Sequence, residues 1–114
     1  MREAMHLIAD IDCQGGLSDA SVIESFMRHV IQLTGLTIRH FHIQEFSNGS
    51  EFGPGVTGMA LLSESHIVVH TAPERQTMNL DLFSCRPFDA ERLEHQVQLF
   101  FGPASRKRWE ILER

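Results

Sequence analysis

Residues 59–71 read MALLSESHIVVHT and carry the clearest fold signal in the chain. Residues 59–62 are apolar, and residues 67–71 are rich in β-branched side chains, which is typical of β-strands. The polar triplet SES at 63–65 between them indicates a turn. The stretch therefore predicts two strands joined by a short turn in the middle of the chain.

Further strands are predicted on both sides of this pair. They are expected at residues 5–11, 36–46, 78–85 and 106–112. The alternation of apolar and polar side chains in 36–46 slips midway. Residues 47–58 are rich in Gly and Ser and contain a proline, so this segment is predicted to be a loop.

Two segments have the 3.6-residue periodicity of helices. The first is predicted to begin at Ser18 as N-cap and to end at Gly35, with an apolar stripe interpreted as core. The second is predicted to begin at Asp89 and to end at Gly102. The pattern predicts an α+β fold: a two-layer α/β sandwich with two helices on one face of an antiparallel sheet.

Composition limits the classes of function. The chain has 114 residues, so residues 1–114 are interpreted as a single domain. Its net charge of −5 argues against a nucleic-acid backbone as partner. No apolar run reaches the length of a membrane span, and no signal peptide is recognised, so a cytoplasmic location is expected. A chain this short buries a modest core, so association into an oligomer through a sheet or helix face is expected to help stabilise it.

The histidines and cysteines form no recognisable metal motif. His66 and His70 share a face of the predicted strand but stand too far apart along it to hold one ion. Cys13 and Cys85 do not form a CxxC pair. We therefore expect no metal site.

The segment SESHIVVHTAPE at 63–74, followed by DLFSC at 81–85, resembles the self-cleavage region of the prokaryotic S-adenosylmethionine decarboxylase proenzymes. The family pattern is Glu-Ser-His, three apolar or small residues, His-Thr, then Pro-Glu, and an aspartate-containing strand that ends in cysteine. GVTG at 55–58 and MHLIAD at 5–10 extend the resemblance over most of the chain.

The resemblance assigns a role to each matching residue. It implies that Ser65 becomes the pyruvoyl group and that Glu64 is left at the new carboxyl end of the first fragment. It also implies that His70 assists processing, that Cys85 donates a proton during turnover, and that Glu74 binds the ribose hydroxyls of the substrate.

Some positions depart from the family pattern. Thr57 stands where the family has a serine that helps processing, so the hydroxyl is kept. Ala72 replaces a tryptophan, and the pair Arg75-Gln76 replaces an aromatic-glycine pair. The loop at 47–53 is longer than the family pattern has it, so either Phe46 or Phe52 is expected to stack on the adenine.

The implied chemistry begins with attack of the Ser65 hydroxyl on the preceding carbonyl, which gives an ester. Loss of the Ser65 α-proton, with His70 as base, then expels the Glu64 carboxylate and cleaves the chain between residues 64 and 65. The resulting dehydroalanine tautomerises and loses ammonia to water, which leaves a covalent pyruvoyl cofactor at residue 65. That carbonyl would form a Schiff base with the substrate amine and accept electrons as its carboxylate leaves. The product would be decarboxylated S-adenosylmethionine, which is used in spermidine biosynthesis. The resemblance also implies that the enzyme is a homodimer with its active sites at the subunit interface.

Two alternatives remain open from the sequence. The loss of aromatic stacking at Ala72 and the changed Arg75-Gln76 pair motivate a pyruvoyl-dependent decarboxylase of a smaller cationic amino acid such as ornithine or arginine. The second alternative is an unprocessed, non-catalytic homologue that binds a metabolite or a partner subunit.

Overall fold

The computed structural model describes residues 4–47, 51 and 53–114, which form a two-layer α+β sandwich. Six strands make one sheet in the order β2-β3-β4-β5-β1-β6, with every neighbouring pair antiparallel. The strands are β1 (Met5–Cys13), β2 (Ile38–Phe46), β3 (Gly55–Leu62), β4 (Ser65–Ala72), β5 (Thr77–Ser84) and β6 (Ala104–Glu113). The helices are α1 (Ala20–Leu33) and α2 (Ala90–Phe101), and a 3-10 turn spans Pro73–Arg75.

Both helices pack on the same face of the sheet, as the sequence pattern predicted. Alternate side chains of β4, such as Ile67 and Val69, are fully buried together with Phe26 and Met27 of α1. The opposite face, which we call the outer face, carries the other set of strand side chains. Met59 and Leu61 of β3 lie there with 49% and 54% of their surface exposed, so no described element covers them.

The first helix begins one residue later than predicted, with Asp19 rather than Ser18 as N-cap. The Asp19 carboxylate accepts hydrogen bonds from the backbone N–H groups of Ser21 and Val22. A carboxylate satisfies these free donors and also interacts favourably with the positive end of the helix dipole. The second helix has the predicted limits, with Asp89 as N-cap and Gly102 after its last residue.

The prediction that residues 47–58 form a loop is wrong at its carboxyl end, because β3 already begins at Gly55. Glycines in this strand serve close packing rather than a turn. A Cβ on Gly55 would collide with the carbonyl oxygen of Thr71, and one on Gly58 would collide with Met27. The slip expected within β2 is present, but it lies near the start, between Ile38 and His40.

Within the described residues, no helix is both long enough and apolar enough to cross a membrane.

Candidate active site

The reactive residues of the 63–74 segment divide between the two ends of β4. Ser65 is the first residue of the strand, and His70 lies five residues further along. At a rise of about 3.4 Å per residue, the two are roughly 17 Å apart in one chain. We call the group Glu64, Ser65, His66 and Cys85 the processing end. We call the group Phe46, Thr57, His70 and Glu74 the cavity end.

At the processing end, the side chain of Glu64 is buried and held by the segment before β2. The backbone N–H of Thr37 donates to Oε1 over 2.9 Å, and its hydroxyl donates to Oε2 over 3.4 Å. The guanidinium of Arg86 lies 3.8 Å from Oε2. The Thr37 N–H, more than the Arg86 charge, lowers the pKa of Glu64. The carboxylate is therefore ionised at neutral pH and fixed in position.

The backbone around the Glu64–Ser65 bond is also held. The N–H of Cys85 donates to the carbonyl oxygen of Glu64 over 2.9 Å. A donor in this position stabilises negative charge that develops on the oxygen when the carbonyl is attacked. Ser65 has φ +156°, at the edge of a region that residues other than glycine rarely adopt. The unusual backbone conformation therefore belongs to Ser65, whose peptide bond to Glu64 is predicted to break.

The Ser65 hydroxyl has an imidazole beside it. Its Oγ is 3.2 Å from Nδ1 of His66, the next residue. The thiol of Cys85 belongs to a partly buried side chain that directly follows β5. A hydroxyl, an imidazole, a backbone donor and a residue with an unusual φ therefore meet at this end of β4.

At the cavity end, Thr57 and His70 face each other across β3 and β4. The Thr57 hydroxyl lies 2.7 Å from Nδ1 of His70 and orients the imidazole. Thr71, the next residue, is completely buried. Its hydroxyl donates to the carbonyl of Leu17 over 2.7 Å and accepts from the N–H of Val56 over 3.0 Å. This contact fixes the strands that carry Thr57 and His70.

A cavity of about 590 Å³ opens beside this pair. Its wall consists of Phe46, Gly53, Pro54, Gly55, His70, Thr71, Ala72, Glu74 and Arg75. Small-molecule sites in proteins are typically of this size. The cavity combines an aromatic ring, a carboxylate and an imidazole, so it offers a stacking face and polar groups to a small molecule.

The predicted site residues are thus brought into two groups rather than one. Phe46 and Glu74 share the cavity wall with His70, whereas the candidate Phe52 lies outside the described residues. Two departures from the family pattern, Ala72 and Arg75, also line the cavity. Within one chain, His70 does not reach Ser65.

Sequence reasoning missed the contacts made by Thr37, His66 and Arg86. Thr37 is 27 positions from Glu64, and no local pattern signals that contact. The position of His66 beside a reactive serine was visible in the sequence, but its contact with Ser65 depends on the backbone conformation of the turn.

No group of three or more metal-ligating side chains occurs in the described part of the chain. The second thiol, Cys13, is buried in the core, and burial raises its pKa to about 11. Such a thiol is unreactive at neutral pH.

Comparisons with known proteins all point to the same family. The family model described as S-adenosylmethionine decarboxylase matches residues 5–113. An S-adenosylmethionine decarboxylase proenzyme of Archaeoglobus fulgidus is 33% identical over 102 residues, which cover 86% of this chain and 83% of the relative. A proenzyme of the same name from Syntrophomonas wolfei is 35% identical over 91 residues, covering 75% of this chain and 68% of the relative.

The fold is also shared with a solved structure. The crystal structure of the adenosylmethionine decarboxylase from Aquifex aeolicus superposes with a TM-score of 0.76 at 24% identity. The match covers 99% of this chain and 89% of that chain. At this identity the likeness supports the α+β sandwich itself.

Proposed function

The chain belongs to the S-adenosylmethionine decarboxylase family, and from this premise we propose that it is a self-processing decarboxylase of S-adenosylmethionine. One observation carries the proposal to the residue level. The Glu64–Ser65 peptide bond has a hydroxyl on one side, a backbone N–H on its carbonyl oxygen and a strained φ. These are the features that an internal acyl shift requires.

The chain's own residues fit the formation of a pyruvoyl group at position 65. The Ser65 hydroxyl attacks the Glu64 carbonyl, and the Cys85 N–H stabilises the oxyanion. The carboxylate of Glu64, held by Thr37, fixes the carbonyl in the orientation for attack. When a base removes the α-proton of Ser65, the Cβ–Oγ bond breaks and Glu64 leaves as a carboxylate, so residue 65 becomes a dehydroalanine. Its enamine tautomerises to an imine, and water hydrolyses this to the pyruvoyl ketone with release of ammonia. Residues 1–64 and 65–114 are then separate fragments of one domain.

The base for the second step is His70 of a second copy of the chain. In its own chain His70 lies roughly 17 Å from Ser65. A two-fold axis near Val68, midway between the two ends of β4, brings the processing end of one copy to the cavity end of the other. The exposed Met59 and Leu61 lie on the same outer face. Stacking of two outer faces would bury this apolar surface, and a homodimer therefore completes each site.

Turnover uses both ends of β4 as well. When formed, the pyruvoyl carbonyl supplies an electron sink for decarboxylation. The Cys85 thiol lies at the processing end and donates the proton that replaces the lost carboxylate. Glu74 accepts hydrogen bonds from the ribose hydroxyls, and Phe46 provides a face for the adenine and the sulfonium charge.

The test is release of carbon dioxide from carboxyl-labelled S-adenosylmethionine, ornithine and arginine by the purified protein. We expect release from S-adenosylmethionine alone, and none from Ser65→Ala, which cannot form the pyruvoyl group. Release from ornithine or arginine alone would show that Ala72 and Arg75 have changed the substrate. No release from any of the three would favour the non-catalytic alternative.

A further inference from the structure

The only hydrogen-bonding partner of the Ser65 hydroxyl in residues 4–47, 51 and 53–114 is the imidazole of His66, at 3.2 Å from Nδ1. A serine hydroxyl is a weak nucleophile unless a base accepts its proton as the new bond forms. His70, to which the family resemblance gives a processing role, is at the other end of the strand. The geometry of a single chain therefore provides a different histidine for the first step.

The His66 ring is held in place by its neighbours on the outer face. It lies in register with Leu61 of β3 and Phe83 of β5. Its ring centroid is 5.7 Å from that of Phe83, with 49° between the planes. The side chain is partly buried, so the imidazole is restrained beside Ser65 while remaining accessible to solvent protons.

We propose that His66 is a catalytic residue of self-processing and acts in the same chain as the serine it activates. Neutral His66 accepts the Ser65 Oγ proton at Nδ1 as Oγ bonds to the Glu64 carbonyl carbon. The imidazolium then returns that proton to the Ser65 nitrogen as the bond between this nitrogen and the carbonyl carbon breaks. The step converts an amide into an ester and a free amine, and it consumes no other reactant.

The inference rests on the proposed function. It divides self-processing into two steps that need different residues. The acyl shift needs only residues of one chain: Ser65, His66 and the backbone N–H of Cys85. Cleavage of the ester needs His70 from the second copy. A monomer would therefore reach the ester and stop, whereas a chain without His66 would not reach the ester even in a dimer.

The first experiment compares His66→Ala, His66→Asn and His70→Ala by hydroxylamine treatment and intact mass. Hydroxylamine cuts an ester at residue 64 but not an amide. We expect His70→Ala to accumulate the hydroxylamine-labile ester. Both His66 variants should instead remain as intact amide, with ester formation slowed about 10²–10⁴-fold. The asparagine can replace the hydrogen bond but cannot take a proton, so its parent-like processing would overturn the proposal.

The second experiment tests action within one chain. Each His66 or His70 variant is mixed with Ser65→Ala chains, which keep both histidines but cannot be cleaved themselves. After subunit exchange, the partner should restore cleavage of His70→Ala chains but not of His66→Ala chains. Restoration of His66→Ala by the partner would overturn the proposal.

His40→Ala provides the matched control for both experiments, because His40 is an exposed imidazole paired with Leu61 in the same row of the outer face. It should be processed like the parent, and stalling of His40→Ala equal to that of His66→Ala would contradict a specific role for His66. A parent chain that is never cleaved would instead overturn the proposed function.

Discussion

At Glu64 the side chain and the backbone are held by different parts of the fold. The carboxylate is bound by the N–H of Thr37, and the carbonyl oxygen by the N–H of Cys85. In the proposed mechanism residue 85 therefore has two separable roles, because its backbone N–H serves processing and its thiol serves turnover. A substitution at Cys85 that keeps the backbone N–H distinguishes them.

The first prediction is that Cys85→Ala chains still cleave at residue 64 but lose most decarboxylation. Loss of a general acid typically lowers the rate about 10²–10⁴-fold. The measurement pairs intact mass with carbon dioxide release from S-adenosylmethionine. Cys13→Ala, which removes the buried core thiol, serves as control. Parent-like turnover by Cys85→Ala would mean that the thiol has only a packing role.

The second prediction concerns the carboxylate in the cavity wall. Glu74→Gln should weaken use of S-adenosylmethionine by roughly 1.5–3 kcal/mol, the range for hydrogen bonds to a charged group. The measurement is kcat/KM of fully processed protein. Glu45→Gln, on an exposed strand residue outside the cavity, should leave kcat/KM unchanged. An equal loss in both variants would argue against a specific ribose contact.

The residues with assigned roles could be predicted because they lie within one short motif. Ser65, His70 and Glu74 stand at fixed spacings that the family resemblance identifies. The partners that hold Glu64 could not be predicted, because Thr37 and Arg86 come from distant positions brought near only by folding. The separation of Ser65 from His70 follows from β4 being one continuous strand that begins at Ser65. The sequence predicted a strand only at residues 67–71 and assigned Ser65 to the turn before it.

At the scale of the elements, the pairing of β3 with β4 positions the cavity end. The buried hydroxyl of Thr71 links β4 to the N–H of Val56 and to the loop before α1. The sequence predicted both strands from their apolar pattern. It did not predict that β3 begins at Gly55, because glycine is more common in loops and the close approach of Thr71 is a property of the folded sheet.

The third prediction is that Gly55→Ala destabilises the fold, because its Cβ would collide with the Thr71 carbonyl oxygen. Overpacking of this kind costs roughly 1–3 kcal/mol of unfolding free energy. Urea unfolding should be measured in a Ser65→Ala background, where the chain stays intact. Gly15→Ala is the control, since nothing lies within 4 Å of a Cβ there. Equal stability of the two variants would contradict the close packing of β3 on β4.

At the scale of the whole molecule, the helices cover one face of the sheet and leave the outer face open. Met59, Leu61 and Leu112 are exposed on that face by 43–54%. The two-layer sandwich could be predicted from the periodicity of the helices and strands. The packing of both helices on one face could be predicted as well, but the exposure of these three side chains on the opposite face became visible only in the folded chain.

The fourth prediction is that Met59→Lys produces a monomer, because a buried ammonium in the interface would be costly. Without a second copy, the partner's His70 is absent, so processing should stop at the hydroxylamine-labile ester. Sedimentation gives the oligomeric state, and hydroxylamine cleavage gives the ester. Leu99→Lys is the control, since Leu99 is 66% exposed on α2, away from the outer face. A monomer of Met59→Lys that cleaves fully would contradict the shared site.

Intact mass spectrometry of the purified chain tests the central claim most directly. The account predicts two fragments, residues 1–64 and residues 65–114, with the second beginning in a ketone in place of an amine. Ser65→Ala should give a single full-length mass, since no hydroxyl remains to attack the Glu64 carbonyl. A parent chain that remains at full length after prolonged incubation, identical to Ser65→Ala, would contradict the account.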